Sequence, residues 1–394
     1  MVLAQNSAEG SSSARASRGF SRELVLVVCF LCLIVLLGVT AFVSRMYHRR
    51  VHSLADHWFE QGETAFKSGD AKKALMDYRN ALAFSPSNKM FQFHLALALA
   101  ADNQLPEARA YLLPLLSDAP GSGEINLALA RIAAKQSKMQ DAMLYYNGAI
   151  YGEWDTQPIE MRWNVRKELC DFLLDSGAIM QAEPALIALA DSTPEGDLGK
   201  EKTVASMLLK GQLWSRALDE FKAVLQSDRG NPDALQGAGV ASFQLGDYAR
   251  AVSYLSRLPK DQPVDPQVAA MLQTARQIES TNPFLTGLSV NEKAHRAFTA
   301  LSLAEARAQS CIAHSAQSGA PASASADLSR HLASAQDQER NWSERNLARF
   351  PDRVDDAMTL VFRIENSAAR LCGDPTGADQ AIWIIGHNMG YTQP

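Results

Sequence analysis

Five cysteines are the residues of this chain whose spacing could support redox or metal chemistry. Cys29 and Cys32 form a C-x-x-C, a spacing used elsewhere for metal binding or thiol–disulfide exchange. Both lie inside the apolar run Leu24 to Val43, where a metal ion or a redox partner has no access. We therefore interpret them as small apolar side chains. Cys170 follows Leu169 in a helical pattern, and we expect it in a core.

Cys311 and Cys372 form the second cysteine pair of interest. Each falls near the C-terminal end of a predicted helix, on its apolar face. In an oxidising compartment they are candidates for a disulfide. The alternative is two buried free thiols, because spacing along the chain does not fix the geometry of a bridge.

Other patterns that could carry chemistry are weak. The Gly237-Ala238-Gly239 stretch lies within a predicted helix, so it lacks the strand-to-helix context of a nucleotide loop. His387 has only Asp374 and Asp379 as loose neighbours, and we interpret this grouping as surface. We predict no catalytic residue, no cofactor and no metal site. A formal net charge of −5 gives no electrostatic case for nucleic-acid binding.

The apolar run Leu24 to Val43 contains neither a charged residue nor a proline. At about 1.5 Å per residue, its twenty residues reach roughly 30 Å, the thickness of a bilayer core. We predict an uncleaved transmembrane anchor over residues 24–43. The alternative is a cleaved signal peptide, whose apolar region would be shorter and end in small residues.

Basic residues flank this run on both sides, three before it and three after it, so they do not decide its orientation. The polar head, residues 1–23, is expected to be disordered. A short basic head before one span and a large body is the usual signal-anchor arrangement. We therefore favour a cytoplasmic head and a body across the membrane, which would be the periplasm in a Gram-negative host.

After the apolar run, small residues and prolines recur every 34 residues. Residues at this interval are Ala74, Ala108 and Ala142, then Pro86 and Pro120, and later Ala217 and Ala251. A period of this size is typical of stacked helix-turn-helix units. Such arrays present a grooved surface to other proteins and rarely carry chemistry themselves.

The first of these units, Ala55 to Asn88, resembles a tetratricopeptide repeat through Trp58, Gly62, Ala74, Tyr78, Ala81 and Pro86. Further units are Lys89–Ser122, Gly123–Thr156, Trp163–Glu195, Leu198–Asn231 and Pro232–Asp265. The resemblance implies two antiparallel helices in each unit, joined in the first by Ser68-Gly69-Asp70. The predicted array covers residues 53–280, ending in a capping helix from Pro266 to Ser280. The predicted fold class is all-α: one N-terminal transmembrane helix, about six repeats and a C-terminal helical region.

The resemblance also implies that the first helix of each unit lines a concave groove that captures a segment of another protein. The residues expected to face this groove are Phe59, Glu63, Phe93, Arg131, Lys135, Lys167, Asp171, Lys202, Gln236 and Phe243. Some family members grip a terminal carboxylate with a lysine-and-asparagine clamp, but the first clamp positions here are Phe59 and Glu63. A mixed aromatic and basic groove suits a segment with acidic spots. The alternative is a solvated face without a partner.

Residues 281–394 lose the 34-residue period, and we expect a C-terminal helical region. The sequence predicts a helix from a capping box at Ser289 to about Ala313, then a low-complexity connection over residues 315–326. One long helix over Asp327 to Phe350 and another after Pro351 follow, then a short apolar segment of undecided type.

The sequence thus predicts a membrane-tethered scaffold that binds other proteins and is not an enzyme, and the bilayer is the expected partner of residues 24–43. It would serve envelope assembly, secretion or a maturation complex. The alternative is that the C-terminal helical region is an enzymatic or ligand-binding module. A pocket with converging polar side chains would favour that alternative, and a solid apolar core would disfavour it.

Overall fold

The computed structural model describes residues 16–259, 265–318, 322–338 and 341–390. This part of the chain is helical, apart from turns and an isolated bridge between Ser122 and Glu153. The all-α fold class is therefore confirmed. The chain divides into two compact parts, Met1–Val165 and Arg166–Pro394, which are described separately.

Helices α1 to α6 form the first part, with the bounds α1 Ala16–Lys67, α2 Ala71–Phe84, α3 Lys89–Ala101, α4 Leu105–Asp118, α5 Gly123–Lys135 and α6 Met139–Ile150. Helix α7 Pro158–Asp175 contains the boundary between the two parts. The second part continues with α8 Ile179–Asp191, α9 Leu198–Lys210, α10 Trp214–Ser227, α11 Pro232–Gln244, α12 Tyr248–Leu255 and α13 Pro266–Thr281. It ends with α14 Val290–Ser318, α15 Ala322–Gln338, α16 Glu344–Arg349, α17 Arg353–Cys372 and α18 Gly377–Asn388.

Helices α1 to α12 follow the predicted repeats pairwise, with the C-terminal end of α1 as the first helix of the first repeat. The alanine near the start of every second helix is fully buried: Ala74, Ala108, Ala142, Ala182, Ala217 and Ala251. The eighth residue of every repeat is equally small and buried: Gly62, Ala96, Ala130, Cys170, Ala205 and Gly239. Small side chains at both positions let the two helices of a repeat pack closely.

Two glycines show how close these approaches are. A Cβ atom on Gly62 would lie 2.6 Å from the Tyr78 ring, and one on Gly239 would lie 2.4 Å from the Leu255 side chain. The predicted turn of the first repeat is present, since Gly69 adopts φ +83° between α1 and α2. Asp70 then accepts a hydrogen bond from the Lys73 amide at 3.0 Å and so caps α2.

Helix α13 begins at Pro266, where the capping helix is predicted to start. It lacks the small buried residue that each repeat has at its eighth position. Gln273, which is exposed, occupies the eighth position of this unit, where the six repeats carry a small buried residue. The C-terminal helices share an apolar core with α13 through Ile278, which is grouped with residues such as Leu301, Phe362 and Ile382. The C-terminal region and the end of the array are therefore packed together.

Helix α1 carries the predicted membrane span without interruption. Its Leu24–Lys67 stretch is the one helix among the described residues that is long and apolar enough to cross a membrane. The head was predicted to be disordered up to residue 23, and this is wrong for residues 16–23, which belong to α1. Residues 1–15 lie outside the described residues.

Three expectations for the C-terminal region need correction. The connection predicted over 315–326 is largely helical, since α14 extends to Ser318 and α15 begins at Ala322. Alanine is a strong helix former, which explains why this Ala- and Ser-rich stretch continues the helices. The single helix predicted over Asp327 to Phe350 is instead two, α15 and α16. The short apolar segment near the end of the chain, whose secondary structure the sequence leaves undecided, belongs to helix α18.

Candidate functional site

In the first compact part, the predicted groove residues Phe59, Glu63 and Phe93 meet around His94. The Phe59 ring stacks on Phe91 at 4.8 Å between centroids and meets the His94 ring edge-to-face at 5.0 Å. Phe93 meets the other side of His94 at 5.8 Å. The Phe59 ring of α1 is thus packed against α2, through Tyr78, and against α3, and it is partly buried.

Glu63 is held by two hydrogen bonds from neighbouring helices. The Tyr78 hydroxyl donates to its carboxylate at 2.6 Å, and His94 Nδ1 lies 2.6 Å from the same oxygen. Burial acts to raise the pKa of Glu63, but the Tyr78 hydrogen bond and the His94 interactions outweigh it, so this pKa is lowered. The pKa of Tyr78 is raised, first by burial and then by its bond to Glu63. The carboxylate therefore stays ionised and joins α1, α2 and α3.

The two basic groove residues of this part lie on α5, one turn apart. Lys135 Nζ donates to the Ala100 carbonyl of α3 at 3.1 Å. The Arg131 and Lys135 side chains are exposed. Lys135 thus shields the C-terminal end of α3, where a positive charge is favourable.

In the second compact part, three predicted residues line one open groove. Lys167 and Asp171 on α7 face Lys202 on α9 across a groove of about 560 Å³. The rest of its lining comes from α9: Gly199, Thr203, Ser206, Met207 and Lys210. First helices of successive repeats therefore form the walls, as the family resemblance implies.

The lysines of this groove are already paired with aspartates. Lys167 lies 2.8 Å from Asp171, and Lys202 lies 3.1 Å from Asp233 of the next repeat. Lys210 approaches Asp175 at 3.9 Å. The groove is therefore close to electrically neutral rather than basic. Each pair is at least partly exposed, so it contributes little to stability and can be exchanged for a pair with a partner.

Gln236 and Phe243, the last predicted groove residues, both lie on α11. The Phe243 ring meets Tyr248 edge-to-face at 5.4 Å. Asn388, at the end of α18, donates to the Tyr248 hydroxyl at 3.1 Å. The C-terminal region thus reaches the repeat array beside Phe243.

Cys311 and Cys372 lie together in the C-terminal region, with their Cα atoms 5.8 Å apart. This separation is within the range that a disulfide spans. One turn before Cys311, Arg307 pairs with the buried Glu365 and donates to the Gly373 carbonyl at 2.9 Å. Burial raises the pKa of Glu365, although Arg307 acts to lower it.

Sequence reasoning missed the side chains that hold the groove residues in place. The repeat spacing predicts only a packing role for Tyr78, and nothing in it marks the hydroxyl as a hydrogen-bond donor to Glu63. Asp233 pairs with Lys202 from the following repeat. The residue equivalent to Lys202 in the next repeat is Gln236, 34 residues later, and Asp233 lies about one helical turn before it. The 34-residue period could therefore have identified Asp233 as a neighbour of Lys202. In the described part of the chain, no group of three metal-binding side chains lies together.

Comparison with known proteins identifies the repeats. A tetratricopeptide repeat family model matches residues 65–132 and 208–275, one stretch in each compact part. Similar solved structures include YrrB, described as a TPR protein with an unusual peptide-binding site, at 19% identity and a TM-score of 0.38; the match covers 49% of this chain and 95% of YrrB.

Two further similar structures are those of PilF and PilW. PilF of Pseudomonas aeruginosa matches at 17% identity and a TM-score of 0.39, over 56% of this chain and 96% of PilF. PilW, described as a type IV pilus biogenesis factor, matches at 18% identity and a TM-score of 0.38, over 56% of this chain and 98% of PilW. The assignment of the repeats rests on the family match and on the buried small residues of the helix pairs. The chain therefore contains tetratricopeptide repeats.

Proposed function

We propose that the chain is a membrane-tethered scaffold whose repeats bind a segment of another protein. The observation that carries this proposal is the α7–α9 groove, where Lys167, Asp171 and Lys202 of two successive repeats converge on one open surface. The groove offers both signs of charge. A partner segment with alternating charges suits it better than a purely acidic one.

The exposed side chains of α1 support the membrane tether. The apolar run from Leu24 to Val43 is uncovered in the structure, and Leu26 and Leu37 are 68% and 66% exposed. Exposing this much apolar surface to water costs about 25 cal/mol per Å², whereas a bilayer core covers it. We place the head in the cytoplasm and the body across the membrane, in the periplasm of a Gram-negative host.

Topology has a direct test. A reporter that is active only outside the cytoplasm, fused after Pro394, should be active, and the protein should stay in membranes after alkaline extraction. Activity of a cytoplasmic reporter alone would reverse the orientation. Release of a shortened chain from the membrane would support the cleaved signal peptide instead.

Partner binding is tested by reversing the groove charges. Lys167→Glu combined with Lys202→Glu should lower recovery of the partner, because the acidic side chains of the partner would lose both lysines and meet carboxylates in their place. Lys222→Glu is the matched control, since Lys222 pairs with Asp219 at 3.0 Å on α10, a second helix of a repeat. Unchanged recovery from a folded double variant would exclude this groove as the binding site.

The apolar core of the C-terminal region favours the scaffold over a ligand-binding or enzymatic module. Its buried residues on α14, α15, α17 and α18 are almost all aliphatic or aromatic. The buried carboxylate of Glu365 faces Arg307 and so serves an internal ion pair. We assign this region a structural role, with no catalytic residue, no cofactor and no nucleic-acid partner. The pathway that we favour is envelope assembly, secretion or a maturation complex.

A further inference from the structure

Helix α1 continues past the apolar run as a short stretch with positive charge and no negative charge. The run ends at Val43, and Ala55 is already buried in the first repeat. The helix is continuous between these two residues. Residues 24–55 contain no aspartate or glutamate, whereas Arg45, Arg49 and Arg50 follow the run closely. Since arginine stays protonated in proteins, this stretch carries three charges without a carboxylate of its own.

The three arginines lie at the level of the lipid headgroups when the run spans the bilayer. Arg45 is about 3 Å, Arg49 about 9 Å and Arg50 about 10 Å past Val43 along the axis. The headgroup layer adds about 5–7 Å on each side of the hydrocarbon core, and long arginine side chains bend back to reach it. The first carboxylate after the run, that of Asp56, is about 20 Å past Val43. Lipid phosphates are therefore the nearest anions to these arginines.

Arg45 and Arg49 form a pair on one face of the helix. They are four residues apart, so they differ by about 40° around the axis and their Cβ atoms lie about 5–6 Å apart. Both side chains are exposed. Two guanidinium groups in this arrangement can donate hydrogen bonds to the oxygens of one phosphate, which their planar shape suits. Arg50 is also exposed, but it points about 140° away from Arg45.

We propose that Arg45 and Arg49 together bind the phosphate of one anionic phospholipid, in the leaflet next to the repeats. The inference rests on the proposed tether and names the class of lipid that the tether contacts. A zwitterionic headgroup brings its own ammonium group, which two arginines repel. An anionic headgroup lacks that cation and supplies the negative charge that this stretch of helix does not contain. The bound lipid fixes the depth of α1 in the bilayer and thereby the height of the first repeat.

Photo-crosslinking of the full-length protein tests the class of lipid. The protein is placed in nanodiscs with equal amounts of phosphatidylglycerol and phosphatidylcholine, and a photo-reactive amino acid replaces Phe42. Phe42 is exposed about 40° from the mean direction of the arginine pair, whereas the exposed Val43 lies about 140° from it. The probe at Phe42 should capture phosphatidylglycerol at least fivefold more than phosphatidylcholine, because each arginine near the surface contributes a factor of about five. The same probe at Val43 should show a preference below twofold.

Single arginine substitutions in the chain with the Phe42 probe test the paired site. Arg49→Gln should lower the preference for phosphatidylglycerol about fivefold. Arg50→Gln is the matched control, since it removes the same charge one residue away, and it should change the preference less than twofold in 0.15 M salt. Arg50 faces away across a helix about 10–12 Å in diameter, and salt screens charges over about 8 Å at this ionic strength. Equal losses from the two variants would show diffuse attraction and overturn the inference.

The failure of the tether and the failure of this inference give different results. If alkaline extraction releases the chain from membranes, the proposed tether fails and the lipid site fails with it. If the chain stays in membranes but the Phe42 probe captures both lipids equally, the tether stands and only the lipid site is overturned.

Discussion

Ala74→Leu should destabilise the first repeat by overfilling the contact between its two helices. Ala74 is fully buried on α2, in a core that includes Ala65 and Tyr78. A larger side chain must displace these neighbours or force them off their rotamers. Substitutions of this kind cost about 1–3 kcal/mol in the free energy of unfolding.

Ala83→Leu provides a control with identical chemistry on the same helix. Ala83 lies in the last turn of α2 and is exposed. Because its side chain has room in solvent, the change should stay within about 0.5 kcal/mol. The difference between the two variants therefore measures the crowding at Ala74 rather than the helix propensity of leucine.

Hydrogen exchange on the full-length protein in detergent measures both variants locally. In Ala74→Leu, amides of α2 and α3 should exchange about 5- to 150-fold faster, the factor that corresponds to 1–3 kcal/mol. Amides of α13 should be unaffected, because repeats interact mainly with their nearest neighbours. Equal exchange in the Ala74→Leu and Ala83→Leu variants would refute the close packing inferred for this position.

The remaining predictions concern charge, thiols and the array end. Because the folded pKa of Glu63 is lowered, its stabilisation is fully present above about pH 4.5 and is lost as the pH falls through that folded pKa; urea unfolding at several pH values measures this. Tyr78→Phe should weaken this pH dependence and cost about 1–2 kcal/mol at neutral pH. If Cys311 and Cys372 pair, Cys311→Ser should cost about 2–4 kcal/mol under oxidising conditions and little with reductant, and thiol counting by mass spectrometry checks the bond. Truncation after Ser280 should reduce amide protection in α12 and α13 but leave the first three repeats protected.

The sequence predicts the repeats well because their contacts are local and periodic. The crossing of two helices needs small residues at fixed positions, so Gly62 and Ala74 reveal both the helices and their packing. The turn at Gly69 follows from its position between two amphipathic stretches, and it has the expected positive φ. Each of these signals involves residues of one repeat and recurs in the next.

The electrostatics of the groove could not be read from the spacing alone. Lys202 suggested a basic surface, but its charge is offset by Asp233 of the next repeat. Phe59 is predicted to face the groove, and the contacts of its ring with Tyr78 of α2 and Phe91 of α3 do not follow from its position in the repeat. The charge around Lys202 and the exposure of Phe59 both depend on side chains of neighbouring helices. The order of residues within one helix does not specify those contacts.

The C-terminal region was harder to predict because it lacks a period. The turn at residues 341–343 precedes α16, whose composition is similar to that of α15. The Ala- and Ser-rich stretch near residue 318 has few large apolar residues, so hydrophobic periodicity predicts a connection there. The intrinsic helix propensity of alanine determines that such a segment is helical, and a search for hydrophobic periodicity does not detect this propensity.

The exposed Gln273 and the core shared by α13 with the C-terminal helices limit how this protein can change in length. A repeat added after α13 would meet a glutamine where the helix crossing needs a small side chain, and the bundle already covers that helix. New repeats are therefore expected between existing ones, where each repeat carries both small residues of its own helix crossing. Homologues with more or fewer repeats should keep the α13–α18 segment intact and differ within the array.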